Sequence, residues 1–524
     1  MSQMLKSSGA MALATLTSRV LGMVREMVYA SFMGNGWVAS AFFMAFQVPN
    51  LFRRLLGEGA LTAAFIPIFK QKEVRDGHQQ MWRSANAVIS GLVTAAGVIT
   101  LAAVAGISMA LPLVSGETRL MLELLRFMFP YMLLACLAAV LIGMANARGH
   151  FFVPALGAVI LNVVMIASVL VLAPRMGSKP EEQIFGLAIG VVLAGIAQAF
   201  FQLPSLAREG FRYQWVAPWH DPTVREVVRK MLPGSIGVAA FQINVLLTQC
   251  FSFWFDPSIV ATFNYSVRLM ELPQGMFGVS LATYLLPTLS GLAAEKKFPE
   301  FRQVLGQGLS HLALANLIAA AIALALAHPI VRLIFEHGRF GPDATQRVAL
   351  ALACLAPGLL MFSMNNIFAR AFFALNDIQT PMKISVFCLA VNLALAFWFL
   401  KYFQHSKVGG EVGLALANTF SAVINVSLLT YALRRKLARF DFAGLRRSLV
   451  LLFSNAVLAG VIAALLSAFW ERRLGARTLP LKLGAVFVPG GIAAGVYWLL
   501  ALWLRVPSAL EMTSLFLNKF RHQE

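Results

Sequence analysis

The chain has 524 residues, of which 59% are hydrophobic and only 13% charged, with a mean hydropathy of +0.74. Those values exclude a water-soluble globular fold: the solvent is lipid, where only helices or closed barrels satisfy every backbone group. A net charge of +20 would suit a nucleic-acid partner, but the basic residues fall in short clusters between apolar runs, where they set membrane topology, and nucleic acid is excluded on that ground.

Taken in chain order, the apolar runs are long and unbroken, as from Ala85 to Leu113. Barrel-type alternation is therefore excluded, and the class is an all-α polytopic membrane protein. The N-terminal run carries Lys6, Arg19 and Arg25, which makes it too long and too charged for a cleaved signal peptide, so it reads as the first span. Spans follow at 9–31, 37–69, 85–113, 122–147, 152–174, 184–206, 231–255, 259–290, 305–327, 346–375, 381–400, 410–433, 448–470 and 482–504, about fourteen transmembrane helices at roughly 20 residues each. Two of them, 37–69 and 259–290, are too long to cross straight, and each holds a proline, Pro49 and Pro273. A kink or break is expected at both, making them candidate hinges.

With the N-terminus inside, about 23 Lys and Arg fall in cytoplasmic loops and about 12 outside, which puts both termini in the cytoplasm. The chain also repeats weakly. Ala41, Phe43, Leu61 and Pro67 recur as Ala261, Phe263, Leu281 and Pro287, and Pro130 and Pro154 recur as Pro357 and Pro381. An even number of spans between equivalents gives repeats of the same orientation. The expected organisation is two six-helix lobes in pseudo-twofold arrangement, at 1–230 and 231–440, followed by an extra helix pair and cytoplasmic tail at 441–524.

Five arginines fall within these spans: Arg19, Arg25, Arg53, Arg54 and Arg268. At roughly 2.5–3.5 kcal/mol each at helix centre, the set costs on the order of 10–15 kcal/mol if it faces lipid. Such groups face a wetted cavity, pair with acids, or reach an interface. Glu58 is four residues after Arg54 and Glu271 three after Arg268, both helical pairing distances. Arg19 has no acid at either spacing, and the adjacent Arg25 and Glu26 are expected to point apart. A cavity with surplus positive charge fits an anion, and the guanidinium fork suits phosphate oxygens.

Catalysis finds no support. No HExxH, GxSxG, Walker A or Asp-rich metal motif is present, so neither an enzyme nor a cofactor is expected. Cys136, Cys250, Cys354 and Cys388 lie in apolar stretches without CxxC spacing, which indicates neither a disulfide framework nor a zinc site. His150, His328 and His337 fall in expected loops. Glu26, Glu123 and Asp377 are candidates for a coupling ion or proton, and equally for ordinary structural pairing.

The stretch Ser18-Arg19-Val20-Leu21-Gly22, with Arg25, Val48-Pro49-Asn50-Leu51-Phe52-Arg53-Arg54-Leu55, Gly57-Glu58-Gly59-Ala60 and Ala64-Phe65-Ile66-Pro67, resembles the MviN/MurJ family, the bacterial lipid II flippases. The likeness continues through Arg268-Leu269-Met270-Glu271-Leu272-Pro273, Leu285-Leu286-Pro287, Phe335 to Phe340 and Thr380-Pro381, and covers essentially the whole chain. The resemblance implies the two-lobed fold of multidrug and oligosaccharidyl-lipid exporters, with a central cavity and two further C-terminal helices bordering a groove for a lipid tail. It also implies a substrate, undecaprenyl-diphosphate-linked peptidoglycan precursor, a bacterial inner-membrane location and a neighbourhood of cell-wall synthesis enzymes. Arg19, Arg25, Arg53 and Arg268 match the family's substrate-binding arginines, and Arg54, Glu58 and Glu271 its supporting positions.

Three positions depart from the family pattern. Ser40 stands where an aspartate is common, Gln47 where a lysine is common, and Val267 where an acid often precedes the arginine. The residues alone leave two rivals open: a flippase for another undecaprenyl-linked oligosaccharide, and a cation-coupled exporter of small molecules. They do not disclose the energy source.

Overall fold

The computed structural model describes residues 2–57, 60–403, 409–437 and 443–521, and among them there is helix but no strand. Eleven helical stretches among the described residues are long and apolar enough to cross a membrane, and each coincides with one of the expected spans. The other three expected spans, 9–31, 37–69 and 231–255, include residues or side chains outside the described set. The chain divides into two compact units, Met1–Ala261 with His337–Phe340, and Thr262–Glu336 with Gly341–Glu524.

Unit 1 opens with α1 (Ser2–Met33) and α2 (Trp37–Phe52), which contains Pro49. Proline lacks the N–H that would close a helical bond and its ring crowds the carbonyl four residues earlier. The chain absorbs this one turn later as a π turn, Arg53–Gly57, so the expected break is present. Next, α3 (Ala60–Ala110) is two helices joined at Gly77, whose φ of 80° interrupts the helical path. Four helices follow: α4 (Gly116–Met128), α5 (Tyr131–Ala147), α6 (Phe152–Ala167) and α7 (Pro180–Phe200). The unit is completed by the short α8 (Leu203–Arg208) and by α9 (Pro222–Phe255), inside which the expected lobe boundary at 230 falls.

Two glycines set the packing that matters for the site. A Cβ on Gly186 would stand 2.5 Å from Ala173 Cα, and one on Gly190 would stand 1.9 Å from Ser168 Oγ. Helices in lipid gain nothing from expelling water, so small residues that permit close approach are what hold them together. The chain leaving α6 is thereby fixed against α7, while α6 packs along α1. At the expected cytoplasmic end of this unit, Arg148 joins Glu73 and also Glu209, the latter at 2.7 Å. His150, in its expected loop, sits 2.8 Å from Glu209. Hydrogen bonds from His150 and then Arg148 hold the Glu209 carboxyl below the usual carboxylate range.

Unit 2 takes up α10 (Ser258–Pro273) after its first turn. Pro273 is followed at once by a π turn, Gln274–Val279, and by α11 (Ser280–Ala294). Then come α12 (Phe298–Ala325), α13 (Ala327–Phe335), α14 (Pro342–Leu355), α15 (Leu359–Ala374), α16 (Gln379–Phe403) and α17 (Gly410–Leu437). The internal repeat shows as matching defects. Pro130 separates α4 from α5 as Pro357 separates α14 from α15, and each long kinked span carries a π turn after its proline.

The last helices, α18 (Ala443–Arg473), α19 (Leu479–Trp503) and α20 (Pro507–Arg521), belong to unit 2. Leu452, Ala456 and Tyr497 share a buried core with Leu309, Leu312 and Phe368. Tyr497 Oη donates to the Leu314 carbonyl at 3.0 Å, and Arg332 pairs with Glu471 at 2.5 Å. The extra pair is therefore pinned to α12 and α13.

Candidate functional site

The arginines of α1 are held in different ways. Six residues turn a helix through about 600°, so Arg19 and Arg25 lie about 120° apart around the axis and about 9 Å apart along it. Arg19, just past the middle of α1, is exposed and has no hydrogen-bond or ion-pair partner among the described residues. Arg25 is enclosed, with its side chain 16% exposed. Its Nη1 donates to Asn162 Oδ1 at 3.1 Å and approaches Met165 Sδ at 3.7 Å, both on α6. Its Nη2 donates to Glu26 Oε1 at 2.5 Å.

That last contact corrects the expectation that Arg25 and Glu26 point apart. Cβ directions of adjacent helical residues do diverge, but the arginine side chain is long enough to curl, and Asn162 and Met165 turn its guanidinium sideways onto the carboxylate. Glu26 is 4% exposed, so this is a buried pair. Asn162 is itself oriented, since its Nδ2 donates to the carbonyls of Ser18 at 3.2 Å and Ala158 at 3.0 Å. Sequence reasoning missed Asn162. The signal was present as one amide in the otherwise apolar run of α6, and a polar group in a span usually serves a partner.

Arg53 and Arg54 lie in the π turn that follows Pro49. Arg53 Nε donates to Asn50 Oδ1 at 2.9 Å. The expected pairing of Arg54 with Glu58 falls outside the described residues, because residues 58 and 59 are not among them. Ser40, where the family pattern commonly has an acid, is fully buried and accepts a hydrogen bond from the Ala261 N–H at 2.9 Å. It thus satisfies one of the first-turn donors of α10, which a helix start leaves without an intrahelical partner.

In unit 2, Arg268 lies on α10 five residues before Pro273. Its Nη1 donates to Glu271 Oε2 at 2.7 Å, the pairing expected from the spacing. The two side chains are 35% and 48% exposed, so this pair is far more open than that of Arg25. The candidate coupling acids all have structural partners. Glu123 pairs with Arg119 at 3.0 Å and Asp377 with Lys436 at 2.6 Å. Among the described residues no group of three or more His, Cys, Asp or Glu could hold a metal.

Unit 2 also carries an apolar trough against α18. One hollow of about 630 Å³ is lined by Leu317, Met364, Val426, Tyr431, Arg434, Leu449 and Phe453. A second, of about 440 Å³, shares Leu317 and Phe453 and continues along Val457, Gly460 and Val461. The shared residues make the two hollows neighbours along one face, apolar except for Arg434, Thr430 and Ser427.

Comparison with known proteins gives a consistent result. A family model described as lipid II flippase MurJ matches residues 29–483. The probable lipid II flippase MurJ of Vibrio cholerae is 31% identical over 471 residues, covering 84% of this chain and 87% of that protein. The lipid II flippase MurJ of Burkholderia cenocepacia is 32% identical over 463 residues, covering 86% and 87%. Among solved structures, one titled lipid II flippase MurJ, inward closed conformation, superposes with a TM-score of 0.74 at 21% identity over 94% of this chain and 98% of that one. An inward-facing multidrug transporter of the MATE family superposes with a TM-score of 0.66 at 13% identity, covering 82% and 99%, a likeness of fold.

Proposed function

The chain belongs to the lipid II flippase MurJ family, and from that membership we propose that it carries lipid II from the inner to the outer leaflet of the bacterial cytoplasmic membrane by alternating access. It is a transporter in this reading and catalyses no bond change. The work is to take a diphosphate and its sugars through hydrocarbon, a passage that desolvation otherwise forbids. Its product supplies peptidoglycan synthesis on the outer side. Both termini stay in the cytoplasm, as the Lys and Arg bias of the loops requires.

The observation that carries the site assignment is Arg19, an exposed guanidinium without a partner among the described residues, set in an apolar helix. An arginine at helix centre costs roughly 2.5–3.5 kcal/mol in lipid, so an anion that arrives there is bound by a group already in need of one. Arg25, Arg53 and Arg268 complete the proposed set of headgroup ligands, with Arg54, Glu58 and Glu271 in support. Arg25 and Arg268 each meet a carboxylate, so phosphate oxygens must compete for them. Pro49 and Pro273, each with a π turn behind it, are the proposed bending points. The apolar trough against α18 is the proposed path of the undecaprenyl tail, which never leaves hydrocarbon.

The test is the leaflet exposure of lipid II in vesicles holding the purified protein. Arg19→Ala removes charge-assisted hydrogen bonds worth about 1.5–3 kcal/mol, so flipping should fall by at least about tenfold. Unimpaired flipping at equal protein content would overturn the role assigned to Arg19. Depletion in cells separates the substrates. Lipid II accumulating in the inner leaflet supports this reading, whereas an intact wall with defective surface polysaccharide points to another undecaprenyl-linked oligosaccharide.

A further inference from the structure

The segment Phe335 to Phe340 carries part of the family resemblance, yet it supplies no group to the transport reading. Its last four residues, His337–Phe340, lie between α13 and α14 in sequence but belong to unit 1. There they are fastened to the ends of α1 and α7. The Arg339 N–H donates to the Ser31 carbonyl at 2.8 Å. Its guanidinium donates from Nη1 to the Phe32 carbonyl at 3.2 Å and from Nη2 to Gln183 Oε1 at 2.9 Å. It also lies 5.3 Å from the centroid of the Phe32 ring. Phe340 beside it is buried.

Two glycines make the fit possible. Gly338 has φ +59° and Gly34 has φ +66°, both in the left-handed region that other residues enter only with strain. Space demands glycine as well. A Cβ on Gly338 would stand 2.4 Å from the Ser31 carbonyl oxygen, and one on Gly34 would stand 3.0 Å from the Arg339 carbonyl oxygen. The two backbones therefore interlock on both sides.

We propose that His337–Phe340 is a strap that ties the outer ends of α1 and α7 together, and that it must let go for the protein to open outward. The sidedness and the outward-open stage rest on the function proposed above: with a cytoplasmic N-terminus, Ser31–Gly34 and the start of α7 face outside. The chemistry of the fastening suits a releasable tie. It includes three hydrogen bonds and one cation–π contact made by Arg339, with the guanidinium on the exposed surface, where water replaces each bond at small net cost. Among the described residues neither His337 nor Arg339 makes an ion pair, so nothing is left as a buried unpaired charge when it parts. Because α1 carries Arg19 and Arg25, release of its outer end frees the helix that bears the proposed headgroup ligands.

A disulfide tests the strap directly. A Cβ at position 34 would stand 3.8 Å from Arg339 Cβ, the separation found in natural disulfides. In the full-length protein with Cys250→Ala and Cys354→Ala, the pair Gly34→Cys and Arg339→Cys should flip lipid II when reduced. Oxidation should depress flipping by at least about tenfold, and reduction should restore it. A cross-linked protein that flips as fast as the reduced one overturns the proposal.

A second measurement needs neither lipid II nor the left-handed cysteine. With Ser31→Cys in the same background, an impermeant maleimide added outside intact cells should react about tenfold faster once Arg339→Ala removes the side-chain bonds. Equal rates overturn the strap. The expected acceleration, in a protein whose unmodified form moves no lipid II in vesicles, upholds the strap and overturns the flippase reading instead.

Discussion

Two arginine–glutamate pairs, one in each unit, make the same ionic contact under opposite conditions. Arg25–Glu26 in α1 is closed in by Asn162 and Met165 of α6, and Glu26 is 4% exposed. Arg268–Glu271 in α10 is open, with side chains 35% and 48% exposed. A pair removed from water is bound to its partner because each charge alone would be costly to bury, whereas an open pair can be exchanged for water or another anion with little penalty. The buried pair is thus the costlier to separate, and the open one the cheaper.

The largest expected effect breaks the buried side. Glu26→Ala strands Arg25 and should destabilise the purified protein by about 3–5 kcal/mol, read as a fall in thermal unfolding temperature in detergent. A shift no larger than that of a surface variant would show that Arg25 finds water where Glu26 was. Next, Asn162→Leu removes the amide that holds the Arg25 guanidinium and also bonds the Ser18 carbonyl. A loss of about 1.5–3 kcal/mol is expected for a hydrogen bond to a charged group, and stability indistinguishable from the parent would separate Arg25 from α6.

The open pair should respond weakly. Glu271→Ala is expected to change stability by less than about 1 kcal/mol, so any large loss of flipping would belong to transport and not to folding. A drop in stability as large as that of Glu26→Ala would erase the contrast between the two units.

The smallest effect uses as a reference a third pair, between Asp377 in the α15–α16 loop of unit 2 and Lys436 in the last turn of α17. The Lys436 ammonium beside Asp377, with further bonds from Thr380, holds that carboxyl down at about 2. A depressed native value contributes stability that is fully present above the unfolded value of about 3.9 and is lost as pH falls through the native one. Asp377→Asn should therefore melt slightly below the parent at pH 7, with the gap narrowing below about pH 4 and gone near pH 2. A gap independent of pH would show that the hydrogen bonds, and not the charge, carry the contribution.

Much of this was legible in the chain itself, and the limits are instructive. Eleven expected spans coincide with helices because a lipid-facing helix must be apolar along its length, a requirement any window of the sequence exposes. Pro49 and Pro273 announced their breaks because the missing N–H is a covalent fact. The Arg268–Glu271 pair followed from helical spacing. Asn162 was not foreseen as the partner of Arg25, because across a separation of 137 positions no local rule brings α6 beside α1. The contact of Arg25 with Glu26 was misjudged for a related reason, since backbone direction alone does not account for the neighbour that bends the side chain.

The sequence by itself determined the solvent, the helices, the two proline breaks and the placing of arginines in apolar runs. Each of these is written in residues close together, through covalent geometry or the cost of exposing polar groups to hydrocarbon. Only the tertiary structure decided which arginine is enclosed and which is open, and that His337–Phe340 leaves the helices flanking it to fasten the ends of α1 and α7. Those outcomes depend on where glycines let backbones touch, at Gly186 and Gly190 against the end of α6 and at Gly34 and Gly338 against each other's strands of chain. Close approach is a property of two surfaces at once, and no single stretch of sequence contains both.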